Sequence, residues 1–112
     1  LFHSILTIRD WCNKRDIGFI LTTYPWGHQV NEREWMPGRR AFIPENAVIS
    51  DQSLERIRHF AQQNDIEFLD LFPAFRSYDG EDRLYFSFDM HWTPAGHRLV
   101  ARELERLIAD RL

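Results

Sequence analysis

Ile17-Gly18-Phe19-Ile20-Leu21-Thr22-Thr23-Tyr24-Pro25 is the stretch on which the fold turns. Its apolar, β-branched and aromatic residues follow one another without a helical period, and Pro25 ends the run, so Ile17–Tyr24 is expected to be a strand buried on both faces. On its N-terminal side Phe2, Ile5, Leu6, Ile8 and Trp11 recur at helical spacing until the polar run Asn13-Lys14-Arg15-Asp16 and Gly18 close the pattern. On its C-terminal side Pro25, Gly27, Pro37, Gly38 and Pro44 break every period as far as about Ser50. This reads as a long loop, a feature that usually marks function or mobility.

Beyond the loop, Ser50 or Asp51 is placed to cap a second helix whose stripe is Leu54, Ile57, Phe60 and Ala61, running to about Asn64. Ile66 to Leu71 forms a second apolar strand. Helix, strand, loop, helix, strand is the alternation of an α/β domain with parallel strands joined by right-handed crossovers. A polar turn follows at Ser77–Asp82, then an extended run Leu84-Tyr85-Phe86. A last helix starts at Pro94, with Leu99, Val100, Leu104, Leu107 and Ile108 as its apolar face. Two buried strands are fewer than a common sheet holds, and the chain opens at Leu1 directly in a helical pattern. The expectation is that residues 1–112 are the C-terminal portion of a single larger domain.

Composition narrows the function classes. With 112 residues, 44% of them hydrophobic, the chain is sized and composed for one globular domain at most. Fourteen basic residues against 17 acidic ones, net −3, give no electrostatic reason to expect nucleic acid or an anionic membrane as partner. No apolar run approaches the roughly 18 residues of a membrane span. Cys12, the single cysteine, can form neither an internal disulfide nor a thiolate metal site, and is expected to be a small buried hydrophobe. The row Arg98, Arg102, Arg106 on the last helix is interrupted by Glu103 and Glu105 and reads as a solvated face.

Chemistry concentrates in Tyr85-Phe86-Ser87-Phe88-Asp89-Met90-His91-Trp92-Thr93-Pro94-Ala95-Gly96-His97. Pro94 suits the first helical position, and the Thr93 hydroxyl can cap the first-turn amides, so the helix start is fixed with His91 just ahead of it. If residues 89–91 are extended, Asp89 and His91 project to one side. The carboxylate can then hold one ring nitrogen as a donor and leave the other as an acceptor, as a general base requires. A structural brace of the terminal helix is the competing reading of the same pair. Asp89, His91 and His97 lack metal-ligand spacing, and no metal or cofactor is expected. In the loop, Trp26, His28 and Gln29 follow a strand's C-terminal end, where open α/β sheets place their ligand crevice. They are candidate substrate contacts, Trp26 by stacking on a sugar ring or, equally, as an aromatic lid over the core. Trp35 carries the same pair of readings.

The order of Tyr24-Pro25 at a strand end, Phe68-Leu69-Asp70-Leu71 as a second strand, Asp89-Met90-His91-Trp92, and then Gly96-His97 in a terminal helix resembles the C-terminal half of the SGNH/GDSL hydrolase superfamily. The resemblance implies a flavodoxin-like three-layer α/β/α fold with a parallel sheet, of which only the C-terminal part is present. It also implies hydrolysis or transfer of acyl groups, often acetyl, by Ser, His and Asp. In the commonest pattern the acid lies three residues before the His, a place Phe88 occupies here. The shorter Asp-x-His spacing is similar to that of the branch related to polysaccharide O-acetyltransferases. The resemblance therefore assigns the acid role to Asp89 and the base role to His91, with a carbohydrate ester as substrate and an exported or periplasmic setting.

The superfamily's Gly-Asp-Ser block has no counterpart, and Ser4, Ser50, Ser53, Ser77 and Ser87 all lack its context. The nucleophile is expected upstream, on a missing N-terminal half of the domain that would be this segment's partner, and the 112 residues alone are expected to be inactive. The alternative is a non-catalytic carbohydrate-binding or scaffolding module with the same fold.

Overall fold

The computed structural model describes residues 1–111; Leu112 and the side chain of Asp110 lie outside the described residues. The chain is α/β, in the order α1 (Phe2–Asn13), β1 (Ile20–Thr23), α2 (Gly27–Val30), α3 (Gln52–Gln63), β2 (Glu67–Asp70), α4 (Phe72–Arg76) and α5 (Pro94–Ile108), with short 3-10 turns at Gly38–Ala41 and Ala109–Arg111. It divides into two compact units, residues 1–23 with 51–69, and residues 24–50 with the chain from Asp70 onward.

The first unit is built from α1, α3 and the small parallel sheet of β1 and β2. Ile5, Phe60, Ala61 and Ile66 form its core, with Leu6, Phe19, Leu21 and Phe68 packed around them. Phe2 stacks flat on Phe60, ring centroids 4.2 Å apart, and Cys12 is buried as expected. Both helices end the same way. Ile17 N donates to Cys12 O (3.1 Å) and Ile66 N to Ala61 O (2.9 Å), with Asp16 (φ 56°) and Asp65 (φ 51°) in the left-handed conformation between. These are Schellman-type stops in which a short polar side chain tolerates the position usually given to glycine. Asp16, not Gly18, therefore terminates α1.

Two expectations fail here. The strands are shorter than Ile17–Tyr24 and Ile66–Leu71, and they are half-buried instead of buried on both faces, with Thr22 exposed. The physical reason is the sheet itself: among the described residues it has two strands, so each keeps one open edge. On α1, Ile8 and Trp11 belong to the apolar pattern yet are exposed.

The second unit carries most of the irregular chain. Its expected loop is organised by α2 and the 3-10 turn, and α4 follows β2 where the sequence suggested no helix. Asp70 Oδ1 accepts the Phe72 amide (2.9 Å) and Pro73 fits the first turn of α4, which together explain that helix. The run Leu84–Phe86 is not a strand; only Tyr85 pairs, antiparallel, with Trp92. α5 begins as expected, with Thr93 extended and its hydroxyl accepting from Gly96 N (3.3 Å). Gly96 is required there, because a Cβ would lie 2.5 Å from Leu84 O. Leu99 is buried, Val100, Leu107 and Ile108 are half-buried and Leu104 is exposed, so the apolar face is only partly covered.

Candidate active site

Asp89 and His91 sit in a bend, not in extended backbone. Phe86 N donates to His91 O (3.2 Å) and Thr93 N to Leu84 O (2.9 Å), so the chain must reverse between residues 86 and 91, and extension there is impossible. The side chains meet all the same. Asp89 Oδ1 accepts the His91 backbone amide (2.8 Å), closing a local turn, and the same oxygen contacts His91 Nδ1. The backbone amide, and after it the imidazole, hold the Asp89 carboxyl below its ordinary range. His91 is 81% and Asp89 56% exposed at the side chain, so the imidazole edge opposite Asp89 faces outward.

An aromatic cluster backs this bend. Trp92 packs edge-on against Tyr24 (4.7 Å), His97 (5.4 Å) and, tilted, Phe75 (5.9 Å). Phe75 in turn meets Tyr85 at 5.8 Å. The buried Tyr85 hydroxyl donates to Pro25 O, and its burial pushes its ionisation upward. Tyr24 and Pro25 thus join the hairpin of residues 84–93 to the loop that carries Trp26, His28 and Gln29. His97 serves as a ring neighbour of Trp92.

The loop residues divide by environment. Trp26 is 46% exposed and lies 6.1 Å from Trp35 and 6.2 Å from His28, ring to ring. Gln29 is engaged within its own loop, since Oε1 accepts Trp26 N (3.0 Å) and Nε2 reaches Ser50 O (3.4 Å). His28 has a buried Nδ1 without a protein partner, and burial followed by the positive charge of Arg39 lowers its pKa. It borders a cleft of about 400 Å³ whose other walls include Arg39, Arg40, Glu32 and Glu45. Trp35 is a core residue, stacked on Phe42 at 5.6 Å, which decides between its two readings.

Glu34 is what the sequence did not single out. Its side chain is 1% exposed, and Oε2 accepts both Leu84 N (3.0 Å) and Tyr85 N (2.9 Å). Charged residues are almost never fully buried unless paired, and nothing in the local pattern around Asn31-Glu32-Arg33-Glu34 announces burial. Among the described residues no group of three or more His, Cys, Asp or Glu is arranged to hold a metal, and no helix is long and apolar enough to cross a membrane.

The α/β architecture agrees with what comparison finds. A family model described as an SGNH hydrolase-like domain of the acetyltransferase AlgX matches residues 6–112. No curated protein and no solved structure matches the chain. The match runs over nearly all of the sequence, including both strands, the loop and the Asp89–His91 bend, and so the chain belongs to the SGNH hydrolase-like domain family of AlgX-type acetyltransferases.

Proposed function

We propose that this chain supplies the acid and base of acyl-ester chemistry, either hydrolysis or O-acetyl transfer, on a carbohydrate ester. The observation that carries the reading is the double engagement of His91 by one oxygen of Asp89, at the backbone amide and at Nδ1. A carboxylate at Nδ1 selects the tautomer with the proton there and leaves the Nε2 lone pair free. The exposed imidazole edge is then the one that takes a proton from a serine hydroxyl and returns it to the leaving alcohol. Asp89 orients the ring and stabilises the imidazolium formed in between.

The serine belongs to polypeptide outside residues 1–112. None of the five serines here has the Gly-Asp-Ser context, and the Ser87 hydroxyl already accepts from Arg83 (3.2 Å). Trp26 offers its exposed ring to a sugar face, while His28 and Gln29 shape the loop that presents it. In the full-length protein, His91→Ala and Asp89→Asn are expected to lower turnover of an activated acetyl ester, the first more than the second. Near-normal activity in both variants would sink the assignment, and sugar binding without turnover in the unaltered protein would favour a binding module.

A further inference from the structure

We infer that Glu34 and Arg83 form a clamp that positions the Asp89–His91 bend, an inference that rests on the function proposed above. The bend itself is exposed and its two functional side chains touch little beyond each other, so its geometry must come from its stem. Besides the bond of the Tyr85 hydroxyl to Pro25 O and the aromatic packing of Trp92, the stem takes a set of polar ties from one segment, residues 34–38. Glu34 Oε2 takes the amides of Leu84 and Tyr85 (3.0 and 2.9 Å), the first leg of the hairpin. Arg83 Nη1 donates to Met36 O (2.7 Å) and to Ser87 Oγ (3.2 Å), and Gly38 N donates to Ser87 O (2.8 Å). The second leg follows from the first, since Leu84 O receives Thr93 N, His91 O receives Phe86 N, and Arg83 O receives the Thr93 hydroxyl (2.5 Å).

Three further facts show that the fit is tight and specific to this seat. A Cβ on Gly38 would lie 2.6 Å from Phe88 Cα, so the 34–38 segment runs in backbone contact with the bend next to Asp89. Trp35 holds φ 55°, a left-handed conformation that a bulky residue keeps only where its surroundings over-determine it. Glu34 Oε1 has no hydrogen-bond partner, and Arg33 Nη2 stands 3.8 Å away. Leu84 and Tyr85 are themselves fully buried, so without the Glu34 oxygen their two amides would have no acceptor on this path, and the acid fixes where residues 84 and 85 run. The arrangement is explained if what is held, the path of residues 84–93, determines where His91 points. Glu34 and Arg83 touch neither Asp89 nor His91 and are positioning residues.

The test compares Glu34→Asp, Glu34→Gln and Arg83→Met in the full-length protein. Turnover is measured per folded molecule, and the proton-NMR signal of the His91 ring N–H shared with Asp89 serves as a readout independent of turnover. Aspartate is one methylene too short to reach both amides, glutamine keeps the accepting oxygen, and methionine keeps the arginine stem without its donors. Expected are folded Glu34→Asp and Arg83→Met proteins with kcat lowered about 10- to 100-fold, KM within about 2-fold, and the ring-proton signal broadened or lost. Glu34→Gln should recover both readouts.

Unchanged kcat and an intact ring signal in the folded variants would overturn the clamp. So would a Glu34→Gln protein as impaired as Glu34→Asp, since the acceptor would then not be what matters. Should Glu34→Asp fail to fold, Arg83→Met decides on the same readouts. Undiminished turnover in His91→Ala would instead remove the functional reading, while the ring signal in the variants would still report on the clamp.

Discussion

The two units of this chain are held together by different chemistry. In residues 1–23 and 51–69 the apolar cluster of Ile5, Phe60, Ala61 and Ile66 packs, two helices stop on left-handed aspartates, and long-range side-chain bonds such as Arg9 Nη1 to Asn64 O (2.8 Å) and Thr22 Oγ1 to Leu69 O (3.0 Å) lie at part-buried or exposed positions. In residues 24–50 and from 70 onward, such bonds gather on residues 83–85. Glu34 meets Leu84 and Tyr85, Arg83 meets Met36, and Tyr85 meets Pro25, spans of 47 to 60 residues. The first unit is an apolar scaffold; the second has an apolar and aromatic core of its own, with Trp35, Leu71, Phe75 and Leu84 buried in it, and adds a polar framework that holds an exposed bend. Mutations should therefore separate stability from activity according to whether they strike a buried core or the exposed bend.

The widest separation is expected at His91. Replacing it by alanine removes the candidate general base, which in positioned sites contributes about 10²- to 10⁴-fold to turnover. An exposed side chain contributes little to folding, so the urea midpoint of His91→Ala should match that of the unaltered protein. A large fall in the midpoint would erase the contrast between core and bend. Phe60→Ala should show the reverse. Truncating a buried phenylalanine costs about 3–5 kcal/mol, here including its stack on Phe2, and the loss should appear in the unfolding midpoint while turnover per folded molecule stays near normal.

The same contrast explains what could be read in advance. The existence and order of α1, α3, β1 and β2 follow from apolar pattern, and the start of α5 from its capping residue Thr93, because these signals lie within a few residues of sequence. Thr93-Pro94 located a helix start to the residue. α4 escaped because its cause is the Asp70 side chain folding back on the Phe72 amide. The Asp89–His91 contact was anticipated, but with the wrong backbone: Asp89 curls onto the next-but-one amide, and alternation along a strand has no part in it. Glu34 could not be found at all, since a buried acid is recognisable only from the amides that arrive from residues 84 and 85. Strand burial was overestimated because an apolar run reports a capacity for burial, which a two-stranded sheet does not fulfil.

A smaller effect probes the border between framework and bend. The Thr93 hydroxyl both caps α5 at Gly96 N and donates to Arg83 O, so it ties the helix start to the hairpin. Thr93→Ala should cost about 0.5–2 kcal/mol as a lost cap. Thr93→Ser keeps the hydroxyl and should restore most of that loss in a chemical-denaturation curve. If alanine and serine behave alike, the hydroxyl is dispensable and the helix start is fixed by Pro94 alone.

The finest test is the titration of Asp89. Its carboxyl is held below the usual value of 3.8, first by the His91 backbone amide and then by the imidazole. A carboxyl with a depressed folded pKa favours the folded arrangement above its unfolded pKa, and that preference is lost as pH falls through the lower, folded value. The window therefore lies below 3.8, and for so exposed a group the consequence is local, not global. Following the Asp89 carboxyl carbon by NMR should give a midpoint under 3.8, with the His91 amide proton moving at the same pH. A midpoint at or above that value in the unaltered protein would mean that the turn is not formed. In His91→Ala the backbone amide remains, so the midpoint should rise only part of the way. Full return to the ordinary value would show that the imidazole, and not the turn, holds the carboxylate, and the bend would then owe its shape to the pair it presents.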